Sequence, residues 1–179
     1  MKVDVLGISI DNLSMEEVLE TIEGSILNGK LLKIFYANAH VLLMARKYPE
    51  LAAHLNSADI ILPDGYGIVF ASRLLKLPIR RRVNGLDVLL RLSEVASERG
   101  WKLYLLGARE DVLKKSIEKL DAKFKGLKIT GYHHGYFSES EEHLILDDIL
   151  DKKPDILVVC MGVGRQESFI NRYSHVLTA

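Results

Sequence analysis

The chain has 179 residues, enough for one α/β domain with a sizeable core. Hydrophobic residues make up 48% of it and charged residues 27%, which excludes an intrinsically disordered chain. Lys plus Arg and Asp plus Glu both number 24, so a zero formal charge gives no support for the polyanion-binding surface of a nucleic-acid binder. Cys160 is the single cysteine, which rules out an internal disulfide and any Cys-x-x-Cys zinc site, and suits a reducing cytoplasm. The start, Met1-Lys2-Val3-Asp4, carries an acid too early for a secretion signal. The longest apolar run, Ile156 to Val163, is too short to span a bilayer.

In chain order, short β-rich runs alternate with longer segments at helical spacing, which predicts α/β with a mainly parallel sheet flanked by helices. Val3–Ile10 is a first apolar stretch. Ser14-Met15-Glu16-Glu17 is a capping box that opens a helix to about Asn28-Gly29. Lys33–Tyr36 reads as a buried strand, and Asn38 starts a helix through about Ala53. Asp59–Leu62 is the next strand, closed by Pro63-Asp64-Gly65 and followed by a helix over Gly67–Lys76. Pro78 and the run Arg80-Arg81-Arg82 form a connector to a helix from Gly85 to about Glu98, which Arg99-Gly100 stops. Strand Lys102–Leu106, helix Asp111–Phe124, strand Leu127–Thr130, helix Ser138–Leu150, strand Asp155–Cys160 and a helix from about Gln166 repeat the rhythm. No internal repeat, low-complexity tract or interdomain linker interrupts it. The last helix ends at Leu177-Thr178-Ala179, where such a fold places another strand, so the chain reads as cut short.

In parallel α/β sheets, ligands bind beyond the carboxyl ends of the strands, where helices present free N–H groups. Four such ends have unusual contents: Tyr36-Ala37-Asn38, Pro63-Asp64-Gly65-Tyr66-Gly67, Leu106-Gly107-Ala108-Arg109 and Gly162-Val163-Gly164-Arg165-Gln166-Glu167. Asp64 follows an apolar run and precedes a Gly-Tyr-Gly loop; it is either a general base whose pKa is lifted by partial burial, or a helix N-cap. Asn38 is either an N-cap or an amide that holds a sugar or base. Arg80, Arg81 and Arg82 offer cations to a diphosphate, although such a run is equally a solvated turn, with only one side chain pointing inward. Gln166 and Glu167 open a helix after a glycine loop, where a phosphate or ribose is well placed; the plain alternative is a helix start with an acid in its first turn. Gly162-x-Gly164 is half of a dinucleotide fingerprint, but position 167 is Glu and the motif follows the last strand, so NAD binding is weakly supported. No Asp-x-Asp occurs, and His133-His134 is a poor candidate for a metal pair.

Taken together these segments resemble the TagA/WecG/CpsF family of glycosyltransferases. The resemblance runs through Gly7-Ile8-x-Ile10-Asp11, Asn38-Ala39, Asp64-Gly65-x-Gly67, Arg82-Val83-x-Gly85-x-Asp87, Leu105-Leu106-Gly107, Gly135-Tyr136-Phe137 and Met161-Gly162 with Gln166-Glu167. Each piece is weak alone; their order and spacing make the set specific. The resemblance implies one catalytic domain over residues 1–179 with a Rossmann-like fold. It implies inverting, metal-independent transfer of N-acetylmannosamine from UDP-N-acetylmannosamine to undecaprenyl-diphosphate-linked N-acetylglucosamine, as in wall teichoic acid linkage-unit synthesis, with no cofactor beyond the UDP-sugar. By position Asp64 matches the family's proposed base, while Asn38, Arg82 and Gln166 match substrate or transition-state contacts; Gly107, Gly162 and Glu167 join them as substrate-binding candidates. Location at the inner face of the cell membrane follows from the same resemblance.

The chain departs from the family pattern at Tyr36, where Thr is usual, and at Gly162-Val163-Gly164-Arg165, where Gly-Ser-Pro-Lys is common. Family members also continue past Ala179 with a basic, aromatic tail. Its absence here leads to the expectation of peripheral membrane association through the missing tail, slight membrane attraction without it, and possible homo-oligomers formed by the apolar surface it leaves. Two rival readings are a non-catalytic UDP- or nucleotide-binding α/β module and a doubly wound oxidoreductase. Binding of UDP but not NAD separates the second rival, and turnover of a UDP-sugar the first.

Overall fold

The computed structural model describes residues 2–74, 76 and 79–177. The expected connector residue Pro78 and the final residues Thr178 and Ala179 lie outside them. The chain is mixed α/β, with parallel sheets flanked by helices, and its described residues form two compact units. The first runs to Leu89 and takes in Glu167–Ser174; the second comprises Leu90–Gln166 and His175–Leu177.

The first unit opens with an antiparallel hairpin, β1 (Lys2–Val5) and β2 (Ile8–Asp11), where the sequence predicts one apolar stretch. The chain reverses at Leu6 and Gly7, both at positive φ (56° and 83°), the backbone of a tight two-residue hairpin turn. Val3, Val5, Ile8 and Ile10 are all buried. Helix α1 (Met15–Leu27) begins at the expected capping box: Ser14 Oγ accepts from Glu17 N (3.2 Å) and Glu17 Oε2 accepts from Ser14 N (2.7 Å). Val18 and Ile22, one turn apart, bury its inner face.

Strands β3 (Ile34–Ala37) and β4 (Ile60–Pro63) pair in parallel, Ile34 opposite Ile60 and Ala37 opposite Pro63. Between them the predicted single helix is two, α2 (Ala39–Lys47) and α3 (Pro49–Asn56). The break falls at Tyr48 (φ −121°, ψ 97°) because the ring of Pro49 drives the preceding residue out of the helical region. Helix α4 (Tyr66–Leu74) follows β4, and α5 (Gly85–Arg99) starts in this unit. The segment of α8 (Arg165–Tyr173) that belongs here is fastened by Asn171: its Oδ1 accepts from Ser57 Oγ (2.6 Å) and Lys33 Nζ (3.0 Å), and its Nδ2 donates to the His54 carbonyl (3.2 Å).

In the second unit β5 (Lys102–Gly107) lies between β6 (Lys128–His133) and β7 (Ile156–Cys160), all parallel. A strand with neighbours on both sides reads as a continuous apolar run, and Leu103, Tyr104, Leu105 and Leu106 are all buried. Leu105 packs with Leu113 and Leu120 of α6 (Glu110–Lys123) and with Phe124. Each such buried aliphatic side chain contributes about 1.5–3 kcal/mol. Strand β6 runs three residues beyond the predicted end at Thr130, to His133. A short 3-10 helix (Glu139–Glu141) then precedes α7 (Glu142–Lys152), where the sequence predicts one helix from Ser138.

Asp11, a member of the first recognised motif, has a structural task. Its buried carboxylate accepts from Ile61 N (3.0 Å), so a side chain of the hairpin engages a main-chain donor of β4. Lys2 Nζ lies 3.5 Å from the same oxygen. Removing the acceptor strands a buried N–H, which costs about 1–3 kcal/mol. Asp11→Ala is therefore expected to lower the unfolding free energy measured by urea titration by that amount, and the midpoint with it, whereas Asp11→Asn, which keeps an acceptor oxygen, retains most of the stability. Equal midpoints for the two variants would remove the bond from the account of this fold.

Candidate functional site

The first unit brings three of the predicted residues together. Asn38 follows β3 and Asp64 follows β4; because the two strands pair in register, the residues leave the sheet side by side. Asp64 N donates to the Ala37 carbonyl (2.7 Å), and Val83 N donates to the Pro63 carbonyl (2.9 Å), which carries Arg82 to the same edge. A Cβ placed on Gly65 (φ +111°) would make only an ordinary van der Waals contact with Asn38 Cβ at 3.7 Å, so the positive φ rather than crowding accounts for the glycine after Asp64.

Asn38 is an N-cap: its backbone is extended and its Oδ1 accepts from Val41 N at 3.0 Å. The bond uses the oxygen alone and does not engage the Nδ2 group. Asp64 has a different environment. Partial burial pushes its pKa above the ordinary carboxylate value; Arg82 pulls it down and Asp87 pushes it up again.

All three arginines of the run are exposed residues, and Arg82 is the one with side-chain partners among the described residues. Its Nη2 lies 3.4 Å from Asp87 Oδ2, and its Cζ sits 5.0 Å from the centre of the Tyr66 ring. Arg80 and Arg81 are exposed, and Arg80 is tied through its backbone, whose N–H donates to Asn12 Oδ1 (2.9 Å). Asp87 is fixed in turn: Asn84 Nδ2 donates to its Oδ2, and its own N–H donates to Asn84 Oδ1 (2.9 Å). The sequence reading gave Asp87 and Tyr66 no role of their own. The Asn-x-x-Asp pattern before α5 is a visible cap signal, but nothing in the spacing shows that Asp87 also faces Arg82.

Tyr36, which replaces the usual Thr, is half-buried in β3, and a Cβ on Gly85 would lie 3.5 Å from its ring. The tyrosine therefore occupies the space beside the start of α5.

Glu167 also belongs to the first unit and is completely buried. Its carboxylate therefore has no exposed surface in this structure.

Gly107, Gly162 and Gln166 belong to the second unit. Gly107 has φ +133°, and a Cβ there would fall 2.3 Å from the Cys160 carbonyl oxygen, so packing by itself demands glycine. Ala108 N donates to Cys160 O (3.0 Å) and Gly135 N to Ala108 O (2.9 Å), which draws the carboxyl ends of the three strands together. Gln166 stands in the first turn of α8, its N–H donating to the Gly162 carbonyl (3.2 Å). Arg165, the basic residue before it, donates from Nη2 to the Phe137 carbonyl and stacks on the Phe137 ring at 4.7 Å.

His133 and His134 direct Nδ1 atoms at backbone, His133 to the His134 carbonyl (2.8 Å) and His134 toward Tyr136 N (3.2 Å). Among the described residues no group of three or more His, Cys, Asp or Glu is placed to hold a metal ion, and no helix is long and apolar enough to cross a membrane.

The profile of the glycosyl transferase WecG/TagA/CpsF family matches residues 3–179. Similar proteins include the N-acetylglucosaminyldiphosphoundecaprenol N-acetyl-beta-D-mannosaminyltransferases of three bacteria. That of Bacillus spizizenii is 35% identical over 80% of this chain and 55% of its own length. That of Bacillus subtilis is 31% identical over 92% of this chain and 64% of its own length. For Staphylococcus aureus the figures are 30%, 94% and 66%. The chain thus spans between 55% and 66% of the length of these relatives. A match over nearly every residue, with Asp64, Arg82 and Asp87 gathered at one strand edge, gives the conclusion that the chain belongs to the WecG/TagA/CpsF family of glycosyl transferases.

Proposed function

We propose that this chain carries the catalytic centre of an inverting glycosyltransferase that moves N-acetylmannosamine from UDP-N-acetylmannosamine to the N-acetylglucosamine of a diphosphoundecaprenol-linked acceptor. The observation that carries the reading is the placement of Asp64, half-buried and of raised pKa, beside the Arg82 guanidinium at the carboxyl ends of β3 and β4. The relatives' names supply the sugar and the acceptor.

In the reaction the acceptor hydroxyl oxygen forms a bond to the anomeric carbon while the bond from that carbon to the UDP oxygen breaks, and the electron pair leaves with UDP. Asp64 takes the hydroxyl proton. A carboxylate of raised pKa holds that proton better than one in open water, which is the property a base for this step requires. Arg82 offers a fixed positive charge to the departing diphosphate, and Asp87 and Tyr66 hold the guanidinium in place. Asn38 has an amide Nδ2 free of its capping bond for a sugar or uracil oxygen, and Gln166, in the second unit, stands in the first turn of α8 after Gly162 and Gly164. Transfer is proposed to proceed without a metal, the arginines serving in place of a cation. The same reading places the chain at the inner face of the cell membrane, where a lipid-linked acceptor lies.

Asp64→Asn is expected to lower the rate of UDP release by about 10²–10⁴ while UDP binding is preserved. Because the folded protein raises the pKa of this carboxyl, its charged form is disfavoured by folding, and stability falls as pH rises through the folded-state value. At neutral pH the uncharged variant should therefore melt no lower than the parent. A variant with parental turnover would end the assignment, and one with a lowered melting temperature would make Asp64 a structural residue.

The acid limb of the pH–rate profile is expected to follow the charges around Asp64. The base must be deprotonated, so activity rises with pH through its pKa. Arg82→Ala removes the influence that lowers this value and should shift the limb to higher pH, with a larger loss of rate than Arg80→Ala; Asp87→Asn should shift it to lower pH. Limbs that coincide in all three proteins would separate Asp64 from the rate-limiting proton transfer.

Transfer is also expected to survive excess chelator. Full loss with EDTA and recovery with magnesium or manganese would overturn the metal-free part of the proposal.

A further inference from the structure

Helix α4 buries Ile68, Val69 and Ser72 and turns a second apolar row outward. Tyr66, Phe70 and Leu74, spaced at four residues and so aligned on one face, are 75%, 73% and 77% exposed. A helix on the surface of a globular unit normally carries polar residues on that face, so the row is anomalous. Cations surround it. Tyr66, Val69 and Phe70 line a pocket together with Arg73, Arg80, Arg81 and Arg82, and the one acidic member is Asp87, already engaged by Arg82 and Asn84. The pocket therefore sets four guanidinium groups against one carboxylate.

We infer that this face of α4 docks on an anionic lipid surface, with Tyr66, Phe70 and Leu74 entering the headgroup layer and Arg73, Arg80 and Arg81 pairing with lipid phosphates. Charge complementarity selects this occupant. Guanidinium groups bind phosphate oxygens in pairs, and apolar side chains bordered by cations are what an interfacial helix needs. A second copy of this chain fits poorly, since a two-fold contact through this face brings the same arginines against one another. The inference rests on the proposed transfer only in the sense that a lipid-linked acceptor gives the docking a purpose. The sequence shows balanced charge and no basic amphipathic segment; the fold brings together α4 and the connector at 79–82, two stretches that are each too short to signal a basic amphipathic face.

The test is co-sedimentation of the full chain with phosphatidylcholine vesicles prepared with and without phosphatidylglycerol. Binding is expected for the anionic vesicles and should fall steeply between about 0.1 M and 1 M salt, where the screening length drops from about 10 Å to about 3 Å. Arg73→Gln/Arg81→Gln should weaken it by about fivefold per arginine. Phe70→Ser/Leu74→Ser should weaken it by about tenfold or more, and removing exposed apolar groups should leave the melting temperature unchanged. Parental vesicle binding in both double variants would overturn the inference. So would a concentration-dependent dimer that Phe70→Ser/Leu74→Ser dissolves, with no vesicle binding in the parent. Turnover with a water-soluble acceptor analogue is a separate measurement: its failure in the parent chain sinks the transferase reading and leaves the vesicle result standing.

Discussion

Two backbone hydrogen bonds at the end of β4 organise the first unit's candidate site. Asp64 N reaches the Ala37 carbonyl and Val83 N reaches the Pro63 carbonyl, at 2.7 and 2.9 Å. The first continues the parallel pairing by one residue and holds Asp64 level with the Asn38 cap. The second fastens the connector, so that Arg82 leaves the chain one residue from a fixed point. All four residues of β4 are buried and its register against β3 is continuous, which gives these bonds a rigid base. The Asp11 carboxylate at Ile61 N adds a third restraint from the hairpin. A site held by main-chain bonds on paired strands keeps its geometry better than one held by long side chains.

On that frame the site is a balance of opposed electrostatic effects. Partial burial makes the Asp64 carboxyl more basic, while Arg82 makes it less so. Burial is the larger influence, and Asp87 adds to it by placing a negative charge near Asp64 while it pairs with Arg82. Asn84 holds Asp87, and the Tyr66 ring supports Arg82 from another side. The arrangement keeps a cation next to a carboxyl of raised pKa, which is what the proposed reaction, with a proton removed and a diphosphate expelled, would require.

Much of this was legible in the sequence wherever the determining interaction is local. Ser14 and Glu17 announce α1, and the capping box is formed as read, because both partners lie within one turn. Asn38 and Asp64 were picked out as strand-end residues from the apolar runs before them, and both stand there. The misreadings have equally definite causes. Leu6-Gly7 hid the hairpin because a leucine at positive φ is not a turn signal. Tyr48-Pro49 split a helix whose apolar spacing continues across the break, so periodicity outweighed the proline. Asp87 facing Arg82 is a tertiary fact, as is the outward row on α4, where a four-residue spacing says only that three side chains share a face and not which way the face points.

The glycines show how far a motif can be carried toward function. Gly107 and Gly162 were candidates because they stand in recognisable segments at strand ends. Around Gly107 the second unit leaves no choice: the Cys160 carbonyl fills the place of a Cβ, and a Cβ on Gly135 would lie 3.0 Å from Gly107 Cα. Such packing is reason enough for glycine at 107 whether or not a ligand approaches, so its presence in the motif adds little to the case for a contact. Gly162 differs: a Cβ there meets nothing within 4 Å, and only its φ of +89° favours glycine. Asp64 differs more sharply. Its main chain is satisfied by the Ala37 carbonyl, and its side chain sits in a field that disfavours the charge it carries. The glycine at 107 is accounted for by packing, whereas the carboxyl at 64 is held where its charge is disfavoured, which is why Asp64 bears more of the proposed function than any glycine of the motif.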